Sequence, residues 1–385
     1  MNDRRTAYIR GVGMHPFGRF PDVSLRQMTA VAVGAALDDA GLGPDQIEAA
    51  YFANSLGGVL NGQEAIRGEV NLHHAGISEI PIVNVENACA SGSTALWNAI
   101  RLVWSGEVET ALAVGAEKLF VGDTGRTLAA LRMATDVEMT QGQALQFTAM
   151  YAMRLQEYVQ SGLLTERHLA EITIKNQRNG ALNPYAQFGA DLTEEEVLAA
   201  RRIAGPLTIP MIAGISDGAA AAVVSSTPHA DASIAVRASI LATGGVDGLN
   251  EGVVRRAISQ AYESADIGPA DLDVVEVHDT TAPIEFLYYE DLGLCARGKA
   301  GAYFDSGATQ LGGATPVNPS GGLTARGHPV GATGLAQIAE LVWQLRGQAG
   351  ERQVHESRLA LSQNSGGWLD GDTAVCSVHV LERGA

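Results

Sequence analysis

Ala36-Leu37-Asp38-Asp39-Ala40-Gly41-Leu42-Gly43-Pro44-Asp45-Gln46-Ile47 is answered, much later in the chain, by Ala261-Tyr262-Glu263-Ser264-Ala265-Asp266-Ile267-Gly268-Pro269-Ala270-Asp271-Leu272. Each stretch reads as the end of an amphipathic helix, a Gly-Pro turn and the lead into a strand, Glu48 to Phe52 in one copy and Asp273 to Val277 in the other. A second match pairs Gly92-Ser93-Thr94-Ala95-Leu96 and Leu102-Val103-Trp104 with Gly331-Ala332-Thr333-Gly334-Leu335 and Leu341-Val342-Trp343. Its offset is slightly longer, so the second copy holds extra residues, expected in the Gly-rich stretch 297–313. At the offset that carries Leu102 onto Leu341, Cys89 falls on His328.

Both positions follow a strand-like run and open a helix. Pro81-Ile82-Val83-Asn84-Val85 precedes Cys89, and Ala95, Leu96, Ala99, Ile100, Leu102 and Val103 after it share one helical face up to Gly106. Alternating strands and helices predict an α/β architecture of sheets layered with helices. Between the halves, residues 119–213 turn Met-rich, polar and loop-prone, as in Asn183-Pro184-Tyr185-Ala186-Gln187-Phe188, and read as an inserted lid. The expected organisation is a first half over 1–118, completed by about 214–228, the insertion over 119–213, and a second half over 229–385.

At 385 residues with 46% apolar and 5% aromatic side chains and 45 glycines, the chain has the make-up of a tightly packed soluble enzyme. With 26 basic against 43 acidic residues its net charge is −17, which disfavours nucleic acid and anionic membrane surfaces as partners. No run approaches the apolar length of a membrane span, and no targeting signal is legible at either end, so a cytoplasmic protein is expected. Cys89, Cys295 and Cys376 are too scattered for a metal knuckle and odd in number for a disulfide framework, so no metal is expected.

Three places carry chemistry. Cys89 sits in Asn87-Ala88-Cys89-Ala90-Ser91-Gly92-Ser93, where small neighbours admit a substrate and a helix start favours a thiolate. A free cysteine is more often a small buried hydrophobe, and it is the repeat that tips the reading toward a nucleophile. His328, in the glycine-dense run from Gly321 to Gly334, is placed to take the thiol proton. His278-Asp279 follows the apolar strand Val274-Val275-Glu276-Val277, where α/β sites are commonly built, although a turn-forming pair is an equal reading.

Together these segments resemble the thiolase superfamily, and within it the sterol-carrier-protein type of 3-ketoacyl-CoA thiolase. The resemblance covers essentially the whole chain. It rests on Asn87 to Ser93, Lys175-Asn176 with Asn183-Pro184-Tyr185, Ser216-Asp217-Gly218-Ala219-Ala220-Ala221, His278-Asp279, and Asn318-Pro319 through Gly334. It implies the thiolase fold, five layers α-β-α-β-α built from two similar halves with an inserted loop domain. By the same resemblance Cys89 would carry an acyl group, His328 would activate it, and His278 would orient an oxyanion-hole water. N–H groups near Gly366 and Gly367 would hold the second oxyanion, and Ser216, Gly218 and Arg178 would belong to the substrate site.

The resemblance fails at the second acid/base group. Neither cysteine that thiolases use there is present: Asn364-Ser365-Gly366 stands at one position and Thr280-Thr281 at the other. The implied activity is cleavage or formation of 3-ketoacyl-CoA thioesters, with coenzyme A as substrate, no permanently bound cofactor, and a homodimer or homotetramer as the assembly. A small zinc-ribbon and oligonucleotide-binding-fold partner accompanies some such enzymes. Arg126, Arg132, Lys175, Arg178, Arg201 and Arg202 are the cations available to the phosphates of coenzyme A. Three rival readings share the fold: a retro-aldolase, an acyltransferase subunit, and a non-catalytic partner in a heteromer.

Overall fold

The computed structural model describes residues 5–139, 147–229, 233–245 and 252–384. The first half runs β1 (Tyr8–Gly18), α1 (Leu25–Ala40), β2 (Ala49–Ala53), α2 (Gly57–Asn61), α3 (Arg67–His74), β3 (Ile82–Val85), α4 (Ser91–Ser105) and β4 (Thr110–Lys118). Next come α5 (Thr124–Leu131), α6 (Phe147–Gln160), α7 (Glu166–Ala181), α8 (Glu194–Ala199), β5 (Arg202–Ala204) and β6 (Leu207–Thr208), and then β7 (Asp217–Ser225) closes the half. The second half is β8 (Ile234–Thr243), α9 (Val253–Ala265), β9 (Val274–Glu276), α10 (Glu285–Asp291), α11 (Ala300–Asp305), α12 (Gly322–Arg326), α13 (Thr333–Arg346), β10 (Leu359–Leu369) and β11 (Asp372–Arg383).

The repeat is real in three dimensions. Ser24 caps α1, its hydroxyl accepting from the Gln27 N–H while Gln27 Oε1 accepts from the Ser24 N–H. Met28, Ala32, Val33, Ala36, Leu37 and Ala40 form the buried stripe of α1, and Val253, Val254, Ala257, Ile258, Ala261 and Ala265 that of α9. Both helices end left-handed, at Gly41 and Asp266. Each Gly-Pro turn is then tied by its glycine N–H, to Gln46 Oε1 at 2.9 Å and to Asp271 Oδ2 at 2.7 Å.

The strands form the order β3-β2-β4-β7-β1-β8-β11-β10-β9, parallel at β2–β3, β2–β4 and β9–β10 and antiparallel elsewhere. Among the described residues only the Tyr8–Ala235 pair joins the first five strands to the last four, so the sheet has two wings. Helix α1 packs on the outer face of one wing and α9 on the outer face of the other, while α4 and α13 lie between them. These are the five expected layers. The central layer owes its position to strands without bulk: β7 is buried along its whole length and carries Ala219 to Ala222, so helices close on both of its faces.

Two expectations change. The insertion between β4 and β7 is mostly helical, because Thr165 and Thr193 cap real helices there; its loop-like composition reflects exposed faces. The extra length of the second copy is not confined to 297–313 either. Part of it is α12, which has no counterpart before Cys89. No helix among the described residues is long and apolar enough to cross a membrane.

One tight point in the central layer is where β4 meets the start of α13. A Cβ on Gly115 would lie 2.2 Å from the Gly331 carbonyl oxygen. Gly115→Val should therefore cost about 1–3 kcal/mol through overpacking. Gly34→Ala, in α1 with open space around the new methyl, should be neutral or stabilising by up to about 1 kcal/mol. Chemical denaturation of the two variants checks both signs; equal effects would mean that Gly115 is not a contact point.

Candidate active site

Cys89 lies in a single helical turn, Ala88–Ala90, that leads into α4, and Ala88 before it is held at φ +48°. That conformation is uncommon for a residue with a side chain. It turns the chain sharply between β3 and α4 and presents the thiol to a cavity. The Asn87 N–H donates to Ser91 Oγ at 2.8 Å and Asn87 Nδ2 donates to Thr94 Oγ1 at 3.0 Å, closing the turn.

The repeat places His328 at the matching point ahead of α13. Its Nε2 is 3.3 Å from Cys89 Sγ, and its Nδ1 is 2.7 Å from Thr333 Oγ1. The Thr333 hydroxyl donates to the Pro329 carbonyl, so it accepts from Nδ1–H. The Nε2 lone pair therefore faces the thiol, the tautomer required of a base. Thr94 donates to the Ala90 carbonyl in the other half, the same bond at the equivalent position.

The ring of His278 meets that of His328 edge-on, with centroids 5.1 Å apart. Ser93 donates to Asn364 Oδ1, which leaves Asn364 Nδ2 to donate to His278 Nδ1 at 2.8 Å. His278 thus carries its proton on Nε2 and offers a donor to the cavity. Burial depresses both histidines, His328 to about 3 and His278 well below its ordinary value, with Arg326 adding to the effect on each. Both are neutral at physiological pH.

Burial likewise pushes the Cys89 thiol up to about 12, reinforced by the Glu117 and Glu86 carboxylates. The backbone N–H groups of Cys89 and Gly367 pull the other way. The expectation that a helix start would hold a resting thiolate is therefore corrected, because desolvation and two carboxylates outweigh two amide dipoles. Those two amides nonetheless face the sulfur, where they stabilise negative charge. The Gly367 amide therefore reaches the sulfur of Cys89. Gly366 instead packs, since a Cβ there would lie 2.3 Å from the Asn87 carbonyl oxygen.

None of the three expected substrate residues lines the cavity at Cys89. Arg178 is exposed and pairs with Asp191 at 2.8 Å, away from the cavity. Ser216 Oγ accepts from the His328 N–H at 3.1 Å and so positions the base. Gly218 is flush against the ring of Phe17, a packing role. Lys175 also drops out as a phosphate ligand, since it is buried against Glu285 and donates to the Val317 carbonyl at 2.8 Å. Of the six cations named above, Arg132 alone lines the cavity.

What the sequence reading missed is the framework behind the histidines. Asp279 accepts from the Leu323 N–H at 2.7 Å and from Asn176 Nδ2 at 2.9 Å, anchoring α12. Gly322 must be glycine: it sits at φ +61°, and a Cβ would lie 2.3 Å from Asp279 Oδ2. Arg326 pairs with Glu276 at 3.1 Å, fully buried. Asn179 on α7 and Asn183 just after it donate to the carbonyls of Asn318 and Ser320, so the end of α7 and the turn after it hold the approach to His328. On the other side Glu117, which burial raises to about 7, accepts from Ser55, Leu56 and Gly331 N–H groups. The signal for α7 was present in Lys175-Asn176 and Asn183-Pro184-Tyr185, but their function could be read only from their partners.

The cavity is partly open to solvent and is lined by Leu56, Leu119, Leu128, Leu131, Ile212 and Val330 around the polar centre. Thr280, Thr281 and Ser365 line it too, and the Thr280 and Thr281 hydroxyls are buried without a well-formed hydrogen bond. The ligand atoms of Cys89, His278 and His328 lie within 4.8 Å of one another, the one trio among the described residues able to close on a metal. With thiol and imidazole both neutral at rest, alkylation of Cys89 by iodoacetamide should rise about tenfold per pH unit from pH 7 to 10. Peptide mass spectrometry separates Cys89 from Cys295 and Cys376. A plateau beginning near pH 7 would contradict the neutral pair.

Comparison with known proteins bears on family and fold. The thiolase N-terminal domain matches residues 7–228 and the thiolase C-terminal domain-like family residues 246–381. An acetyl-CoA acetyltransferase of Methanothermobacter thermautotrophicus is 38% identical, over 98% of this chain and 100% of the relative. Human sterol carrier protein 2 is 35% identical, over 94% of this chain and 70% of its own length. The solved structure of an Ltp2-ChsH2(DUF35) aldolase superposes with a TM-score of 0.79 at 24% identity, covering 98% of this chain and 97% of that one, a likeness of fold. On two family domains that together span both halves and the insertion, this chain belongs to the thiolase family.

Proposed function

We propose that the chain cleaves or forms 3-ketoacyl-CoA thioesters through an acyl group carried on Cys89. The observation that carries this reading is the Cys89 Sγ–His328 Nε2 approach of 3.3 Å beneath the Cys89 and Gly367 amides. In the thiolysis direction the thiol proton passes to His328 Nε2 as sulfur attacks the keto carbon. The new oxyanion meets the two amides, and His278 Nε2–H meets the thioester oxygen of the leaving fragment. Coenzyme A then takes the acyl group, with no bound cofactor needed. The name of the archaeal acetyltransferase supports the same chemistry.

The retro-aldolase reading draws on the aldolase neighbour, but the residues favour acyl transfer. A base with its lone pair on a cysteine serves covalent catalysis, and both histidines expected of a thiolase are present and positioned. A scaffold would have no use for a thiol so placed. Arg132 is the cation for coenzyme A phosphate at the cavity wall. The proposed assembly is a cytoplasmic homodimer or homotetramer. Strand β3 supports it: an unpaired sheet edge with Val83 47% exposed is a surface that another copy would cover. The aldolase title, which names a DUF35 component, supports testing for a small partner subunit.

Cys89→Ala should abolish turnover and the mass increase of an acyl-enzyme while leaving the fold intact, and His328→Ala should cost at least about 100-fold. Substantial activity in Cys89→Ala would end the reading. Arg132→Ala should raise the KM for coenzyme A several-fold with little change in kcat, and steady-state kinetics at low salt would detect it. An unchanged KM would remove Arg132 from the ligand site.

A further inference from the structure

The reaction proposed above needs an acid that none of its assigned residues supplies. Breaking the carbon–carbon bond leaves an electron pair on the carbon next to the departing thioester, and that carbon must receive a proton. His328 holds its acquired proton on the nitrogen facing sulfur, its other nitrogen being committed to Thr333. His278 has one proton, on the nitrogen that faces the thioester oxygen, and its other nitrogen accepts from Asn364. Ser55, Thr148, Thr280, Thr281 and Ser365 line the cavity too, but their hydroxyls are alkyl alcohols, too weak as acids.

One phenol lines the same cavity. Tyr151, on α6 of the insertion, is 8% exposed, with its ring edge-on to Trp368 at 6.4 Å between centroids. Its hydroxyl lies against that of Thr280, and it is within electrostatic reach of Cys89. The Ile212–Thr281 bridge and the Ala213 N–H bond to the Thr280 carbonyl at 2.9 Å stitch the end of the insertion to the segment after His278. A phenol, near pKa 10 in water, is closer to a thiol in acidity than any other neutral side chain here. Burial pushes this one up to about 12, so it is fully protonated and ready to donate at neutral pH.

We propose that Tyr151 is the acid that protonates the α-carbon of the departing thioester, in place of the missing second cysteine. This rests on the thiolase reading of Cys89. The carbon–carbon bond breaks, its electron pair moves to the α-carbon, and that carbon forms a C–H bond with the Tyr151 proton, leaving a phenolate. The thioester product departs. The incoming coenzyme A thiol returns a proton to the phenolate as its sulfur attacks the acyl carbonyl, and the Cys89 sulfur leaves and recovers its proton from His328. Protons and charge balance over the cycle. In the synthetic direction the phenolate is the base that removes the α-proton.

The test uses Tyr151→Phe in the full chain, a change that keeps the ring against Trp368. Three rates are compared with wild type: acetoacetyl-CoA thiolysis, exchange of the acetyl-CoA methyl protons with deuterium, and transfer of acetyl from acetyl-CoA to labelled coenzyme A. The first two need an acid or base at carbon and should fall by about 100-fold or more, while the third breaks and makes only carbon–sulfur bonds and should stay within about tenfold. Adding Thr280→Cys to Tyr151→Phe should recover at least about tenfold of the thiolysis. Carbon chemistry within a few-fold of wild type in Tyr151→Phe, or an equal loss of all three rates, overturns the role of Tyr151. A wild-type chain that transfers no acetyl to labelled coenzyme A overturns the thiolase reading and this inference together.

Discussion

Two helix starts approach so closely that no side chain fits between them, and the site depends on that contact. A Cβ on Gly92 would lie 2.8 Å from the Gly331 carbonyl oxygen, and one on Gly334 would lie 2.1 Å from Ser93 Oγ. Bulk at either point would separate α4 from α13, and with them the thiol from the imidazole. Because the two helices are repeats of one another, the same geometry that opens each half onto the cavity brings Cys89 and His328 face to face. Duplication thus explains how two residues distant in sequence meet, and the small side chains of β7 explain why the sheets can close around them.

Holding His328 takes more than the helix that follows it. The approach to it runs through Asn318 at φ +53° and the short turn of α12, neither stable without partners. Glu276, Asp279 and Glu285 supply acceptors from the second half, and Lys175, Asn176, Asn179 and Asn183 supply donors from the insertion. Buried charges of this kind add little net stability once desolvation is counted, yet removing one partner strands the other at high cost. Their arrangement makes the insertion part of the catalytic frame as well as a cover.

The electrostatics of the cavity follow from the same burial. Desolvation keeps thiol, imidazoles and phenol all neutral at rest. In the reaction proposed above, charge appears only when substrate arrives, beside fixed donors: the Cys89 and Gly367 amides and the Nε2–H of His278. Such a site does not stabilise its own ground-state charges, so the interactions it makes with developing charge are available to the transition state. A neutral phenol in that setting complements the pair of histidines, because each of the three protons has one address.

Several features were legible in the sequence because they are local or periodic. Helix stripes, Gly-Pro turns and the doubled pattern follow from the 3.6-residue period and from turn chemistry, and they were enough to place Cys89 opposite His328 and to mark His278. Thr333 repeats the position of Thr94, so even the hydrogen bond that sets the tautomer had a trace in the repeat. Protonation was not legible, since it depends on how much water reaches a group and on carboxylates such as Glu117 that come from other elements. Nor was the fate of Arg178, Lys175 and Ser216, because a cation or hydroxyl in a motif reads alike whether it meets a ligand or a neighbour. The place of Tyr151 was decided only by the tertiary structure, which folds α6 of the insertion against Trp368 and Thr280, where one buried phenol joins residues drawn from both halves.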